Sequence, residues 1–576
     1  MDERGVDREA VREYDQFWQS RQRPEVLPEV ERVGWGPFST AYVVRPTPPP
    51  GHHDAKYDVV VLGAGPTGML MAAYLARMGH QVLVVERQPR LFCGSTWNLA
   101  RDELAVLEQS EILTEAQWAE CTTGDFARGL FRLHEPGTGK EQDHEFANCL
   151  NVSIDEAKYF EFLALTPGLE IWTGTSAELV TVDASGAYVE CHGEAAGDAA
   201  RIIQARLVID ARGWTSPLAR AVHPHRQVES VYNILGVQTH LEDRWPARVH
   251  LDSDGNPLAD EHGNPLGIIC ATYRDVQLID GVRAQPILER FTDFAPASNK
   301  FGQGEVLYFF TRTPEPQRLD AMIEPMLQAL PRVVPGFAES HVVKTLFGHA
   351  PAFYRPGPFD RWRLQTSAGD RVLLLGVAAQ QYSGMSGCAF GPAARNMPRM
   401  AQQVDRALTE NRLAFSDLAR IDIDVRERHS QAIGDVFGGT MAVTEGENDV
   451  APNTDWLIFC TAANNATISP AELGEALKDK IPFSTLAKMV RMAREDPRVT
   501  RVLFDNNPGH ELDVVWTLVR SAVGLLAEEI RLAIHRGDPK YRDGVVHGGR
   551  TLPALVLDAG RLGGGHILQR MGSKRR

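Results

Sequence analysis

The sequence predicts an α/β protein with a parallel sheet at its centre, because apolar strands alternate with helical segments along its first part. The first strand, at 59–62, leads directly into a glycine-rich turn at 63–68 that opens a helix. A second apolar strand follows at 81–85. Two later apolar strands, at 201–209 and 370–376, also run into glycine turns. Continuous apolar strands of this kind are typical of sheets that are covered on both faces.

The turn at 63–68 has the GxGxxG spacing of a dinucleotide-binding Rossmann unit. In such a unit the first glycine allows the tight turn, the second lets a diphosphate approach the backbone, and the third lets the helix pack close to the strand. The helix N-terminus favours negative charge, and an acid after the second strand accepts hydrogen bonds from a ribose. The alternative is a purely structural glycine turn. The unit predicts cofactor contacts at Gly63, Gly65, Pro66, Thr67, Gly68, Glu86 and Arg87.

Three separated segments resemble the cofactor site of FAD proteins with the glutathione-reductase fold. The first is the unit at 57–87, the second is the strand and glycine turn at 205–220, and the third is the strand, glycine-rich loop and helix start at 369–391. Together and in this order they indicate FAD as the cofactor. The resemblance implies further contacts at Asp210, Gly213, Ser216, Gly376, Val377, Gly384, Gly387 and Gly391.

No second complete GxGxxG motif follows in the sequence, so we expect no dedicated nicotinamide domain. Reducing equivalents would then come from transient contact with NAD(P)H or from a separate flavin reductase. In flavin hydroxylases, the segment that matches 369–391 places a helix N-terminus at the pyrimidine edge of the flavin. The resemblance implies the same arrangement here, where the helix dipole stabilises negative charge on the reduced ring.

The domain organisation follows from changes in pattern along the chain. Short strand-like runs alternate with turn-rich loops at 226–365, which predicts an inserted, mostly antiparallel sheet that forms the substrate domain. A short helix is expected at 8–19, and a long one at 392–409. The predicted parts are an N-terminal accessory segment with a proline-rich connector at 1–56, an FAD-binding domain at 57–225 and 366–410, the substrate domain at 226–365, and a helical C-terminal region at 411–576.

Composition narrows the class of protein. The chain has 576 residues, of which 43% are hydrophobic and 23% charged, and a net charge of −15. This charge disfavours nucleic acid as a partner, since phosphate binding needs a basic surface. No apolar run approaches the ~18 residues of a membrane span. The seven cysteines are scattered without CxxC spacing, which predicts reduced thiols, a cytoplasmic protein and no metal site.

Further segments resemble a known enzyme family. The sequence TWNLARDEL at 96–104 is similar to the WNxSRxEL segment of CruA-type bacterial lycopene cyclases, and 151–155 resembles their next motif. The sequence FGPAARNMPRM at 390–400 resembles their FGxxxRHLPRL helix. The segment at 101–109 also resembles the FAD-contacting helix of flavin aromatic hydroxylases. Both families share the architecture, and the match spans about 57–410.

The resemblance implies that Arg101 contacts the cofactor diphosphate or ribityl chain, and that Trp97 and Asn98 flank the flavin ring or the substrate. A surface arginine and a core tryptophan are the alternatives. Val377 stands where these families place an aspartate that binds the ribityl chain. A ribityl hydroxyl then needs another partner, or FAD is held more weakly.

Three residues are candidates for acid–base or orienting roles. Tyr382 follows the third-segment strand, where a loop would face the flavin. His349 lies in the sequence FGHAPA, and Asp275 lies in the predicted substrate domain. Structural roles are the alternative for each of them.

The sequence leaves three functions open. The first is an FAD-dependent oxidoreductase of the monooxygenase type that oxygenates a small, largely apolar or unsaturated, natural-product-like substrate. The second is a redox-neutral, lycopene-cyclase-like cyclisation or isomerisation that uses reduced FAD. The third is a non-catalytic protein that retains the flavin-binding fold. The sequence predicts neither the oligomeric state nor the identity of the substrate.

Overall fold

The structure is a computed structural model of the full chain. It describes residues 6–20, 30–32, 42–44, 53–91, 97–125, 128–134, 141–222, 227–240, 266–272, 276–279, 282–291, 304–313, 316–333, 342–355, 368–382, 389–438, 468–505 and 511–536, together with 553 and 559.

The described strands and helices are numbered in chain order. Strands β1 to β21 span Val30–Arg32, Tyr42–Val44, Ala55–Leu62, Val82–Val85, Trp97–Leu99, Thr122–Asp125, Arg128–His134, Glu141–Ala147, Val152–Ile154, Leu169–Trp172, Thr175–Val182, Ala187–Gly193, Gly197–Asp210, Gln227–His240, Leu266–Thr272, Val276–Ile279, Val282–Phe291, Gly304–Thr313, Val342–Arg355, Ala368–Gly369 and Val372–Leu374. Helices α1 to α14 span Arg8–Ser20, Pro66–Arg77, Arg101–Gln109, Glu115–Cys121, Glu156–Ala164, Pro217–Val222, Asp320–Val333, Phe390–Thr409, Phe415–Leu418, Val425–Gly438, Pro470–Leu477, Phe483–Glu495, Pro497–Asp505 and Glu511–Arg536.

The first sheet has the strand order β1-β2-β20-β21-β13-β3-β4-β10, with β11 and β12 added through β13. The central pairs β21–β13, β13–β3, β3–β4 and β4–β10 are parallel. Alternate residues of β3 point to opposite faces, so Val59 and Val61 pack against α2 and α8. Val60 and Leu62 pack instead toward the β11–β12 hairpin. Both faces are therefore covered, and the predicted α/β class is confirmed.

The second sheet has the order β19-β14-β18-β17-β15-β7-β8, with β16 paired to β17. Its pairs are antiparallel except that between β15 and β7. The sequence predicts an antiparallel sheet from 226–365, but β7 and β8 reach it from the segment 128–147, which lies in the predicted first part of the FAD-binding domain. Pairing between strands so far apart in sequence leaves no local signal. The domain boundaries themselves stay a prediction.

The predicted helix at 8–19 is observed as α1, and it is attached to the second sheet. The Asp15 carboxylate accepts hydrogen bonds from the backbone N–H groups of Leu319 (3.1 Å) and Asp320 (2.7 Å), at the start of α7. The Tyr14 hydroxyl accepts the N–H of His349 at 2.9 Å. Helix α1 therefore packs into the core of this sheet, whereas β1 and β2 of the same N-terminal segment belong to the first sheet.

A third, small sheet has the strand order β5-β9-β6. The pattern at 97–120 predicts a helix, whereas the structure has a strand at Trp97–Leu99 before α3 and α4. Trp97 and Leu99 are buried and Asn98 is half-buried, which is the alternation of a strand. Trp97 pairs with Ile154 of β9. This pairing makes residues 97–99 a strand, and the predicted helix begins only at Arg101.

The C-terminal part that the structure describes is helical, as predicted. The predicted helix at 392–409 is observed as α8, Phe390–Thr409. The amphipathic run within α14 packs against α12 and α10 through an apolar cluster that includes Leu518 and Leu486. Within the residues described, no helix is both long and apolar enough to traverse a lipid bilayer.

Candidate cofactor site

The first wall of the site is the turn between β3 and α2. Gly65 is the N-cap of α2, Pro66 is its first residue, and no side chain caps the helix or places an acid in its first turn. The first backbone N–H groups of a helix have no acceptor within the helix, so they are available to an anion. A Cβ on Gly65 would meet no atom within 4 Å. The backbone therefore borders open space where a diphosphate would approach.

The other two glycines of the turn are fixed by packing. Gly63 has a φ of +97°, and a Cβ there would lie 2.9 Å from the carbonyl oxygen of Ala211. A Cβ on Gly68 would collide with the carbonyl oxygen of Gly63 and lie 3.1 Å from the Cβ of Ala211. The turn thus presses against the end of β13, as the Rossmann spacing predicts.

Glu86, at the end of β4, has its carboxylate fixed by the backbone. Its Oε2 accepts the N–H of Ala64 and its Oε1 accepts the N–H of Gln88, both at 2.8 Å. A carboxylate oxygen can accept more than one hydrogen bond. The carboxylate is therefore held beside the glycine turn in an orientation that is compatible with binding ribose hydroxyls.

The second wall is the turn after β13, and Asp210 organises it. Asp210 is fully buried, and its carboxylate accepts hydrogen bonds from the Arg212 backbone (3.1 Å), Nε (3.1 Å) and Nη2 (2.6 Å), and from Ser216 Oγ (2.8 Å). Arg212 Nη1 also donates to the carbonyl of Ala177 at 2.9 Å. Asp210 and Ser216 therefore shape the turn that presents Gly213 (φ +70°), and neither lines the cavity described below.

The third wall is the turn after β21, at 376–381. Gly376 has a φ of +62°, and a Cβ there would lie 2.6 Å from Thr67 Oγ1, so this turn packs against the first turn of α2. Gln381 closes the turn, because its Oε1 accepts the N–H of Gly376 and its N–H donates to the carbonyl of Gly376, both at 2.8 Å.

A cavity of about 280 Å³ lies where these three segments meet. Its volume is near the lower end of the ~300–1,000 Å³ range of ligand pockets. The predicted contacts that line it are Gly63, Gly65, Pro66, Thr67, Glu86, Arg87, Gly213 and Val377. The remaining lining residues were not predicted as contacts: Val85, Thr175, Ser176, Ala177, Ala211, Arg212, Ala389 and Phe390.

Of these missed residues, Arg212 has a recognisable sequence signal, because it directly precedes the predicted turn glycine. The β11 residues 175–177 have no local motif. They reach the cavity because β11 pairs with β12, which in turn pairs with β13.

The structure places Trp97 in the aromatic core behind the cavity. Its ring packs 4.8 Å from that of Phe390, 5.4 Å from Tyr159 and 5.3 Å from Phe160, centre to centre. Trp97 thus supports the cavity through Phe390, and the core-packing alternative describes it. Asn98 points away from this core, and its Oδ1 is buried without a hydrogen-bond partner among the described residues. Its predicted contact with the cofactor or substrate stays a prediction.

Arg101 and Gly391 also lie outside the cavity lining. Arg101 is exposed, and its backbone N–H donates to Asn148 Oδ1 at 3.1 Å. A Cβ on Gly391 would lie 2.7 Å from Glu103 Oε1, so this glycine makes room for a carboxylate of α3. Glu103 forms a buried ion pair with Arg395 of α8. This pair joins two of the three segments, 96–104 and 390–400, on which the resemblance to lycopene cyclases rests.

The three candidate acid–base residues have different outcomes. Tyr382 is half-buried directly after the turn at 376–381, and its role stays a prediction. His349 is buried in β19, with Nε2 3.0 Å from the carbonyl of Gln317 and its ring stacked on Tyr14. Burial lowers the pKa of His349 to about 4, so the ring is neutral at pH 7, and its predicted acid–base role stays a prediction. Asp275, like Gly384 and Gly387, lies outside the described residues.

Comparison with known proteins agrees with this geometry. Residues 58–101 match the sequence model of the family described as FAD dependent oxidoreductase. A digeranylgeranylglycerophospholipid reductase of Picrophilus torridus is 28% identical over 177 residues, which are 29% of this chain and 42% of the relative. A 3-(3-hydroxy-phenyl)propionate/3-hydroxycinnamic acid hydroxylase of Paraburkholderia xenovorans is 27% identical over 169 residues, which are 28% of this chain and 27% of the relative. The chain thus matches less than half the length of either relative.

Among solved structures, a geranylgeranyl bacteriochlorophyll reductase-like protein from Thermoplasma acidophilum superposes with a TM-score of 0.50. The sequence identity is 15%, and the match covers 78% of this chain and 99% of that one. At this identity the likeness shows the fold alone. The chain therefore shares its α/β fold with this reductase-like protein, and residues 58–101 carry the match to the FAD dependent oxidoreductase family.

Proposed function

We propose that this protein is an FAD-dependent oxidoreductase that binds FAD in the cavity between its three glycine turns. The observation that carries the proposal is the convergence of Gly65, Glu86, Gly213 and Val377, which lie far apart in sequence, on one cavity. The family match at 58–101 supports the same cofactor. Bound FAD supplies the redox chemistry, because its ring accepts and releases electrons.

Different groups around the cavity suit different parts of FAD. The N-terminus of α2, uncapped by any side chain, suits the negatively charged diphosphate. The fixed Glu86 carboxylate suits ribose hydroxyls. Arg212 is an anchor of the wall, because Asp210 already neutralises its charge. Phe390 and Val377 give the cavity an apolar side.

We further propose a reaction of the monooxygenase type on a small, largely apolar or unsaturated, natural-product-like substrate. The reductase and the hydroxylase matched by sequence support a reaction that begins with reduction of the flavin. Transient NAD(P)H or a flavin reductase would supply the electrons. Tyr382, at the end of the third turn, is our candidate for a proton donor or an orienting group.

Oxygen uptake tests this proposal. FAD-loaded protein is mixed with NAD(P)H, or with chemically reduced flavin, and a panel of unsaturated and aromatic substrates, and O₂ consumption and oxygenated product are measured. We expect substrate-dependent uptake in the parent and none above background in Gly65→Val. Silence with every substrate, even after chemical reduction, would refute the monooxygenase assignment. A parent protein that takes up no FAD would favour the non-catalytic alternative.

A second candidate is a redox-neutral cyclisation or isomerisation with reduced FAD. The observation that favours it is the buried Glu103–Arg395 pair, which joins two of the three segments that resemble lycopene cyclases. This candidate predicts turnover of an unsaturated hydrocarbon under anaerobic conditions with dithionite-reduced protein. A requirement for stoichiometric oxidant would rule it out.

A further inference from the structure

Two consecutive residues in the first turn of α10, Glu427 and Arg428, connect the C-terminal helices to two different walls of the cavity. Both side chains are buried, with 7% and 8% of their surface exposed. Neither lines the cavity, and neither belongs to a segment that carries the cofactor motifs. Each forms charge-assisted hydrogen bonds with residues of a segment that borders the cavity.

Glu427 holds α8. Its Oε1 accepts Arg395 Nε and its Oε2 accepts Arg395 Nη2, both at 3.0 Å, in a bidentate pair. Its Oε2 also accepts Asn396 Nδ2 at 2.7 Å. Arg395 binds Glu103 on its other side. Arg395 and Asn396 lie within two turns of Phe390, the first residue of α8 and part of the cavity wall.

Arg428 holds the turn at 376–381. Its Nε lies 3.1 and 2.9 Å from the two carboxylate oxygens of Asp422, and its Nη1 donates to the carbonyl of Gln380 at 3.3 Å. Asp422 Oδ1 in turn accepts Gln381 Nε2 at 3.4 Å. Gln381 closes the turn by hydrogen bonding to Gly376. Val377, which follows Gly376 in the chain, lines the cavity.

Burying charged side chains carries a desolvation cost, so buried ion pairs are weak evidence of a role in stability alone. Bidentate arginine–carboxylate pairs do fix geometry, because both head groups are planar. Because Glu427 and Arg428 are adjacent on one rigid helix, the two walls that they hold have a fixed separation.

We propose that Glu427 and Arg428 are positioning residues that set the spacing between the turn at 376–381 and the first turn of α8, and so shape the flavin end of the site from the C-terminal helices. This inference rests on the proposed FAD-binding function. The charge of Glu427 adds an electrostatic effect, since its removal favours the more negative, reduced state of a nearby flavin.

The test uses the full-length protein with FAD and the variants Glu427→Gln and Arg428→Met. The matched control is Arg426→Met, because Arg426 lies in the same helical turn but is exposed. FAD affinity, the visible circular dichroism of the bound flavin and its midpoint potential are measured. We expect at least a tenfold loss of affinity and an altered visible spectrum in both variants, and a raised potential in Glu427→Gln. The control should behave as the parent, and Arg428→Lys should restore part of the affinity.

The results distinguish a failure of the proposed FAD-binding function from a failure of the positioning roles of Glu427 and Arg428. If the parent itself binds no FAD, the proposed function fails and this inference fails with it. If the parent binds FAD and both variants match it in affinity, visible spectrum and potential, the inference alone is overturned. If a variant does not fold, as judged by far-ultraviolet circular dichroism without FAD, then Glu427→Asp and Arg428→Lys replace it. They keep the charges but move the head groups, so unchanged flavin properties in these variants would also overturn the inference.

Discussion

At the residue scale, Gly65 and Gly68 belong to the same motif but are required for different physical reasons. A side chain on Gly65 would enter open space, whereas one on Gly68 would strike the carbonyl of Gly63. Gly65 therefore matters for the ligand and Gly68 for the packing of α2 on β3. The GxGxxG spacing predicts this division, and the contacts at Gly68 agree with it.

This difference predicts opposite effects for two substitutions. Gly65→Val should lower FAD affinity by more than tenfold while leaving the unfolding free energy of the FAD-free protein nearly unchanged. Gly68→Ala should lower that free energy by ~1–3 kcal/mol through overpacking. Fluorescence titration with FAD and chemical unfolding measure the two effects. Loss of stability in Gly65→Val equal to that in Gly68→Ala would contradict the assignment.

Because Val377 is apolar, we predict that a carboxylate at this position tightens FAD binding. Its apolar side chain lines the cavity where the related families place an aspartate for the ribityl chain. A carboxylate that accepts hydroxyl hydrogen bonds is worth ~1.5–3 kcal/mol, so Val377→Asp should bind FAD about tenfold more tightly. Val377→Leu, which stays apolar, is the control. Equal or weaker binding by Val377→Asp would show that the ribityl chain does not lie beside this residue.

At the element scale, the docking of α1 on the second sheet makes stability depend on pH. His349 lies at this contact, and its folded-state pKa of about 4 is below the 6.5 of the unfolded chain. The unfolded state therefore binds more protons between pH 4 and 6.5, so this contribution is full above pH 6.5 and is lost as the pH falls.

His349→Gln keeps a donor for the Gln317 carbonyl but does not titrate. From pH 7 to pH 5 the parent should lose about 2 kcal/mol more unfolding free energy than this variant. Urea unfolding at the two pH values measures the difference. Parallel losses in the two proteins would mean that His349 is not buried and neutral as described.

Prediction from sequence succeeded for elements whose signal is local. The α/β class, α1, α2 and α8 follow from apolar runs, glycine turns and helical periodicity. The strand β5 and the assignment of β7 to the second sheet were missed, because both depend on pairing with distant strands. Trp97 pairs with Ile154 and Arg128 with Leu266, and partners so far apart in the chain leave no periodic pattern in a single sequence.

At the scale of the whole molecule, the site combines predictable and unpredictable parts. The eight predicted lining residues come from glycine motifs whose shape is fixed locally. The contributions of the β11 residues 175–177 and the Glu427–Arg428 pair depend on tertiary contacts, whereas Arg212 directly precedes a predicted turn glycine. His349 is buried within the second sheet and Arg101 is exposed, and neither lines the cavity, so the roles predicted for them stay predictions.

The proposed FAD site is formed by three distant segments of the chain, and titration of the FAD-free protein with FAD tests it most directly. The visible absorption of the bound flavin should saturate at one FAD per chain in the parent. Gly65→Val and Glu86→Ala should each weaken binding by more than tenfold while the proteins stay folded. Absence of FAD binding in the parent, or undiminished binding in both variants, would contradict the account.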